Sequence, residues 1–172
     1  GISSMIMILP AVLDLSTNGE TLTEMSRIKT EATAFWDIVV KNMIGVFDTT
    51  KYGSIPFIYV GILPLLFCLF FFVTKKVTIR EKLTYGSLFG ILIASFYLEP
   101  LNLFWHGFHA PNMFLFRFSF LFSFLVVMLA GYGMEVFNKE DRGYFVNVAL
   151  VLPIIFILAK LTTPKGSYDY VS

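Results

Sequence analysis

One short polar segment carries most of the groups in this sequence that could do chemistry. It lies between two apolar stretches and ends where a phenylalanine-rich run begins. Ionisable and amide side chains are expensive to hold at the edge of a bilayer, so they are functional candidates by default. We expect them to gather at one end of the molecule. The candidate substrate-binding residues are Glu99, Asn102, Trp105, His106, His109, Asn112 and Arg117.

Arg117 and His106 could each bind an anion, and each also has an alternative role that needs no ligand. The planar guanidinium of Arg117 donates two parallel hydrogen bonds to a phosphate. A long side chain at this place also snorkels to the membrane interface without binding anything. His106 is either a structural hydrogen-bond partner or a contact to a phosphate or sugar, with a role as a base less favoured. The sequence leaves both pairs of alternatives open.

The other groups also allow more than one role. Trp105 is an anchor at the membrane interface or a stacking face for a sugar ring, with the anchor favoured. Glu99 acts as a base or pairs with Arg117. His106 and His109 are three residues apart, but no cysteine accompanies them and Glu99 is the nearest acid. We therefore predict no metal site in this chain. No cofactor is evident, although assistance from a divalent metal stays open.

The composition indicates what must position these residues. The 172 residues are 56% hydrophobic and 15% charged, whereas an ordinary soluble domain has about a quarter charged residues. The formal net charge of +1 argues against nucleic acid as a partner, because such proteins show a basic patch or stripe. Cys68 is the only cysteine, so no disulfide forms within the chain. We predict an all-α, polytopic transmembrane helical bundle with the lipid bilayer as a partner.

Four apolar stretches come close to the length of about 20 residues that a helix needs to cross the hydrocarbon layer. A fifth apolar piece at the start has no basic leader, so we interpret it as the end of a transmembrane helix that begins earlier. The chain is then a single membrane domain, 1–172, and an internal fragment of a longer protein. The predicted parts are the helix end 1–15, the outer segment 16–54, the transmembrane helices 55–74, 83–98, 114–134 and 144–161, and the outer loop 99–113.

The third apolar stretch tests the helical interpretation, because every even position from Phe114 to Phe124 is phenylalanine. A period of two is a strand signal in water. The odd positions include Leu115, Leu121 and Leu125, however, and the apolar run continues to Ala130. It is much longer than a barrel strand of about 10 residues. A helix satisfies its own backbone in lipid and is favoured. Ser119, Ser123 and Ala130 then fall near one face and are predicted to pack against another helix.

The orientation follows from the positive charges in short loops. Lysine and arginine are enriched in loops on the cytoplasmic side. We therefore place 75–82 and 135–143 in the cytoplasm, and 99–113, 16–54 and the C-terminal tail outside. Gly107 and Pro111 interrupt any helix in the outer loop, so a re-entrant path is one interpretation. The charges that decide the orientation are Lys75, Lys76, Arg80, Lys82, Lys139 and Arg142.

The outer segment carries its own helix signal. Residues 21–24 have the spacing of a capping box, and apolar residues then recur every three to four positions. This pattern predicts an amphipathic helix that ends near Gly45. It lies on the outer bilayer surface with Phe35 and Trp36 among the headgroups, or it caps the bundle. The apolar positions are Met25, Ile28, Ala32, Phe35, Val39 and Met43, and Lys41 is among the polar ones.

Several stretches together resemble the bacterial YfhO membrane protein family. The most specific are the Trp-His-Gly-Phe and Arg-Phe-Ser-Phe runs, and the resemblance covers most of the chain. The matching stretches are Leu9 and Pro10, 58–66 (IYVGILPLL), 80–82 (REK), 101–108 (LNLFWHGF), 111–112 (PN) and 116–120 (FRFSF).

The resemblance implies a function. That family is similar to C-type glycosyltransferases, which take a sugar from a polyprenyl-phosphate carrier at the outer face of the bacterial cytoplasmic membrane. Related proteins of Gram-positive bacteria are linked to glycosylation of cell-wall polymers such as lipoteichoic acid. The catalytic acid is expected upstream of Gly1, so 1–172 alone is expected to be inactive. A transporter or flippase for a lipid or glycolipid, and a non-catalytic membrane scaffold, remain as alternatives.

Overall fold

The structure, a computed structural model, describes Pro10, Thr30 and residues 36–43, 56–107 and 115–162. Every regular element in these residues is helical, which confirms the all-α prediction. The predicted helix end 1–15 and most of the outer segment lie outside the described residues. The elements are α1 (Asp37–Val40), α2 (Ile62–Val73), α3 (Ile79–Tyr97), α4 (Glu99–Trp105), α5 (Ser119–Val136) and α6 (Arg142–Thr162), with a 3-10 turn (Lys139–Asp141) before α6.

Among the described residues, two helices have the length and composition to cross a membrane: α5, and the stretch Lys139–Thr162 that contains α6. The apolar helix α2 has 12 residues and is about 18 Å long at 1.5 Å per residue, short of the hydrocarbon layer of about 30 Å. Helix α3 has 19 residues, but its first turn carries Arg80, Glu81 and Lys82. Two of the four predicted spans are therefore supported by length and hydropathy, and four full spans are not confirmed.

Local sequence sets where α2 and α3 begin. Gly61, with φ of +91°, precedes α2, a backbone conformation that glycine adopts readily. Thr78 and Glu81 form a capping box at the start of α3, with the Thr78 hydroxyl 2.7 Å from a Glu81 carboxylate oxygen. The hydrogen bonds from Thr78 hold the pKa of Glu81 below its ordinary value. Helices α2 and α3 therefore begin at Ile62 and Ile79 and not at the predicted boundaries 55 and 83. The backbone conformation of Gly61 and the capping box of Thr78 set these starts, whereas the prediction relied on hydropathy.

Helices α2 and α5 form the main helix pair of the bundle. At their crossing, a Cβ atom added to Gly133 would lie 2.4 Å from the backbone oxygen of Phe67. Only a residue without a side chain allows the two backbones to approach so closely. Of the predicted small-residue stripe, Ala130 is buried, whereas Ser119 and Ser123 are half-buried. The contact that sets the distance between the helices is therefore one turn beyond Ala130.

The alternating phenylalanines divide into two sets along α5 and the turn before it. Phe118 and Phe122 are four residues apart and buried, with 4% and 6% exposure. Phe120 and Phe124 are also four residues apart, and each is 65% exposed. Because residues at i and i+4 share a helix face, one set packs into the core and the other faces outward. The period of two therefore reflects a helix that is apolar on both sides.

The two loops predicted to share the cytoplasmic side meet at one end of the molecule. The Lys76 amine pairs with the Asp141 carboxylate and donates to the Val136 carbonyl at 3.3 Å. On the same end, the Tyr132 hydroxyl donates to Glu81 at 3.4 Å. These contacts join 75–82 to the end of α5 and to the 3-10 turn. The opposite end holds the candidate functional residues.

Candidate functional site at the outer mouth

Helix α3 stops where Pro100 removes a hydrogen-bond donor. In a continuous helix the residue-100 amide would bond to the Phe96 carbonyl, but proline has no N–H. The Leu101 amide turns to the Leu98 carbonyl at 3.2 Å, which also releases the Tyr97 carbonyl. Thr30 donates to both of these carbonyls. Its hydroxyl donates to Phe96 at 2.7 Å, and its amide donates to Tyr97 at 3.1 Å. We call Thr30, 98–107 and 115–118 the outer mouth, after the predicted orientation.

Helix α4 places Asn102 and His106 on one face, four residues apart. Asn102 is 3% exposed, and its amide donates to a Glu99 carboxylate oxygen at 3.4 Å. The Nδ1 atom of His106 lies 2.8 Å from the Asn102 carbonyl oxygen. A carbonyl can only accept, so Nδ1 carries the hydrogen of this bond. Asn102 Oδ1 and His106 Nε2 are buried and have no hydrogen-bond partner among the described residues.

Trp105 is fixed by one hydrogen bond and one ring stack. Its Nε1 donates to the Ser95 hydroxyl at 3.0 Å, and that hydroxyl donates to the Ile91 carbonyl at 2.7 Å. Its indole stacks on Phe118, with ring centroids 5.4 Å apart and planes 19° apart. Phe118 in turn stacks on Phe96 at 5.1 Å. The indole is nevertheless 38% exposed, so part of it remains available at the surface.

Arg117 lies next in sequence to the ring that holds this cluster together. Phe118 contacts both Trp105 and His106, the latter with ring centroids 6.1 Å apart. Arg117 itself is exposed, and no described residue forms an ion pair or hydrogen bond with it. The alternative that Glu99 pairs with Arg117 is thus not found. The exposed guanidinium stands at the start of a helix long enough to cross the membrane.

The structure describes five of the seven predicted site residues. It brings Glu99, Asn102, Trp105 and His106 together on α4 and its end, and Phe118, the residue after Arg117, contacts Trp105 and His106. His109 and Asn112 lie outside the described residues.

A metal cage is not formed by the part of the chain that the structure describes. No three histidine, cysteine, aspartate or glutamate side chains in it lie close enough together to hold an ion.

The sequence interpretation missed a buried polar group on α1. Asp37 and Lys41 are 2% and 1% exposed, and Asn42 is 6% exposed. Tyr97 is close enough to Asp37 for an electrostatic interaction, which ties α1 to the end of α3. Lys41 was predicted to be among the polar positions of a surface helix, yet it is buried because α1 packs against α6. Asp37 and Lys41 are an acid and a base four residues apart, and this spacing was the sequence signal for the buried polar group.

Comparison with known proteins gives one match. The model of a protein family described as "Bacterial membrane protein YfhO" matches residues 1–172. No curated protein and no solved structure matches the chain.

Proposed function

The chain belongs to the YfhO family of bacterial membrane proteins, and from this premise we propose that it is the donor-binding part of a membrane glycosyltransferase. The enzyme takes a sugar from a polyprenyl-phosphate carrier at the outer face of the cytoplasmic membrane. It transfers the sugar to a cell-wall polymer such as lipoteichoic acid. The bilayer, the lipid-linked sugar and the polymer are its partners.

The observation that carries the proposal is the composition of the outer mouth. An exposed arginine, unpaired among the described residues, precedes a membrane-length helix. The next residue, Phe118, stacks on a half-exposed tryptophan at the end of a polar helix. A lipid-linked sugar presents a phosphate at headgroup level with a sugar attached to it. Arg117 suits the phosphate because its fork donates two hydrogen bonds, and the face of Trp105 suits a sugar ring.

The proposed reaction is an inverting displacement at the anomeric carbon. The acceptor hydroxyl oxygen attacks that carbon, its proton passes to a general base, and the bond from the carbon to the phosphate oxygen breaks. The polyprenyl phosphate leaves with the electron pair. Negative charge grows on its oxygens during this step, so a fixed cation such as Arg117 stabilises the transition state more than the ground state. The general base is not assigned to any described residue.

Reconstitution of the intact protein into liposomes tests this function. The donor is polyprenyl-phosphate-linked hexose with a radioactive sugar, and the acceptor is extracted lipoteichoic acid. We expect the polymer to gain labelled sugar. Free polyprenyl phosphate should appear in an equal molar amount. A flippase would instead move intact donor between leaflets without releasing the carrier. A scaffold would neither move the donor nor transfer its sugar. The flippase result and the scaffold result would each overturn the proposal.

A further inference from the structure

Three side-chain atoms in the described residues are buried without a hydrogen-bond partner. None of them lies at the predicted cytoplasmic end, where Lys76 pairs with Asp141. They are Asn42 Oδ1, Asn102 Oδ1 and His106 Nε2. A buried polar atom without a partner costs free energy, so each one calls for an explanation such as a ligand. Two of the three belong to residues on one face of α4, the helix that also carries Trp105. The pair on α4 is therefore a candidate for a binding subsite.

Hydrogen-bond geometry determines the chemistry of this pair. The Asn102 amide nitrogen faces the Glu99 carboxylate at 3.4 Å, so the side-chain oxygen points the other way and can only accept. His106 Nδ1 donates to the Asn102 carbonyl at 2.8 Å. In a neutral imidazole, the other nitrogen is then an acceptor. With His106 neutral, both unpartnered atoms therefore need a hydrogen-bond donor.

A pair of acceptors selects a particular part of the proposed substrate. Phosphate oxygens are acceptors themselves and cannot satisfy either atom, whereas a sugar hydroxyl supplies the missing hydrogen. We propose that Asn102 Oδ1 and His106 Nε2 accept hydrogen bonds from hydroxyl groups of the carrier-linked sugar, a subsite that rests on the proposed function. The phosphate is bound by Arg117 instead. His106 is thereby a sugar contact and not a phosphate contact.

The end of α4 offers a way to reach the pair. Gly107 follows His106 with φ of +67°, and a Cβ atom placed there would meet nothing within 4 Å in the described part of the chain. No described residue therefore closes the backbone beside His106 on this side.

Binding of two kinds of lipid to the intact protein in nanodiscs tests the subsite. The probes are polyprenyl phosphate without a sugar and polyprenyl phosphate linked to glucose, galactose or N-acetylglucosamine. A neutral hydrogen bond of this kind corresponds to about three- to tenfold in affinity. We expect wild type to bind at least one sugar-bearing lipid more tightly than the bare carrier. Asn102→Leu should reduce this preference about three- to tenfold without weakening binding of the bare carrier.

Variants of His106 separate its two nitrogens. His106→Asn keeps a donor near the Nδ1 position but lacks an acceptor at Nε2, so it should lose the preference. His106→Gln places an amide oxygen near the Nε2 position and should retain it. Asn42→Leu is the matched control, because it removes a similarly buried and unpartnered acceptor close to α1, and it should leave the preference unchanged. Thermal unfolding of each variant in detergent verifies that the protein is folded.

The possible outcomes separate this inference from the proposed function. If wild type binds every sugar-bearing lipid no better than the bare carrier, the subsite is overturned and carrier binding stands. The subsite is also overturned if Asn42→Leu reduces the preference as much as Asn102→Leu does. If wild type binds none of these lipids, both proposals are overturned. Loss of the preference in Asn102→Leu and His106→Asn, with His106→Gln and Asn42→Leu near wild type, supports the subsite.

Discussion

The hydroxyl of Thr30 donates a 2.7 Å hydrogen bond to the carbonyl of Phe96, 66 residues further along the chain. Pro100, four residues later, has no amide hydrogen to offer to that carbonyl. Thr30 therefore completes the backbone hydrogen bonding at the end of α3. This contact ties the outer segment to the helix break from which α4 and its polar residues begin.

We predict that Thr30→Val destabilises the protein by about 1–3 kcal/mol, since it leaves a buried carbonyl without this donor. Thermal unfolding in detergent measures the effect. Thr84→Val is the control, because the Thr84 hydroxyl bonds to the Arg80 carbonyl on an exposed part of α3. Pro100→Ala supplies an amide hydrogen and allows the helix to continue through Leu98, which is extended in the wild type. Thr30→Val should therefore cost less in that background. Equal costs in both backgrounds would contradict this explanation of the break.

The crossing of α2 and α5 gives the second prediction. Gly133→Ala places a methyl group against the Phe67 backbone, so the helices must separate, at a cost of about 1–3 kcal/mol for overpacking. Gly131→Ala lies two residues away, where an added Cβ meets nothing within 4 Å among the described residues. It should leave the unfolding temperature unchanged or raise it slightly, because alanine is the better helix former. Similar behaviour of the two variants would show that the close contact is absent.

The third prediction concerns topology. In a protein whose buried Cys68 has been replaced by alanine, single cysteines at exposed Lys75 and Lys139 should react with a membrane-impermeant thiol reagent only after the cells are opened. A cysteine at exposed Phe104 should react in intact cells. The reason is the enrichment of lysine and arginine in cytoplasmic loops. Labelling of Lys75→Cys and Lys139→Cys in intact cells, with Phe104→Cys silent, would invert the orientation.

Local signals in the sequence predicted part of this architecture. The second apolar stretch was predicted to stop at 98, and α3 ends at Tyr97, but the predicted loop begins with the helix α4. Pro100 acts on the backbone next to it, so a break is readable from the local sequence. The helical form of the phenylalanine-rich run was also correct, because lipid removes the alternative of an open strand. The predicted site residues on α4 lie close together because a seven-residue helix keeps them close whatever the rest of the chain does.

The features that the sequence did not predict depend on distant parts of the chain. Nothing near Thr30 indicates that it would meet Phe96, and nothing near Gly133 indicates that Phe67 would lie against it. The burial of Lys41 depends on where α1 packs, and its charge alone favours an exposed position. The unpartnered acceptors on α4 follow from hydrogen-bond geometry that only coordinates provide. Tertiary contacts decide all of these features.

Arg117, assigned to the carrier phosphate, is the residue on which the proposed function depends most. Sugar transfer from a polyprenyl-phosphate donor, measured in the intact protein at matched membrane levels, tests that assignment directly. A charge-assisted hydrogen bond contributes about 1.5–3 kcal/mol, so Arg117→Ala should slow transfer roughly ten- to a hundredfold. Arg117→Lys should also be slow, because a point charge cannot reproduce the two-pronged contact of the guanidinium. A near-normal rate for Arg117→Lys would contradict bidentate phosphate binding and leave Arg117 as an anchor at the membrane interface.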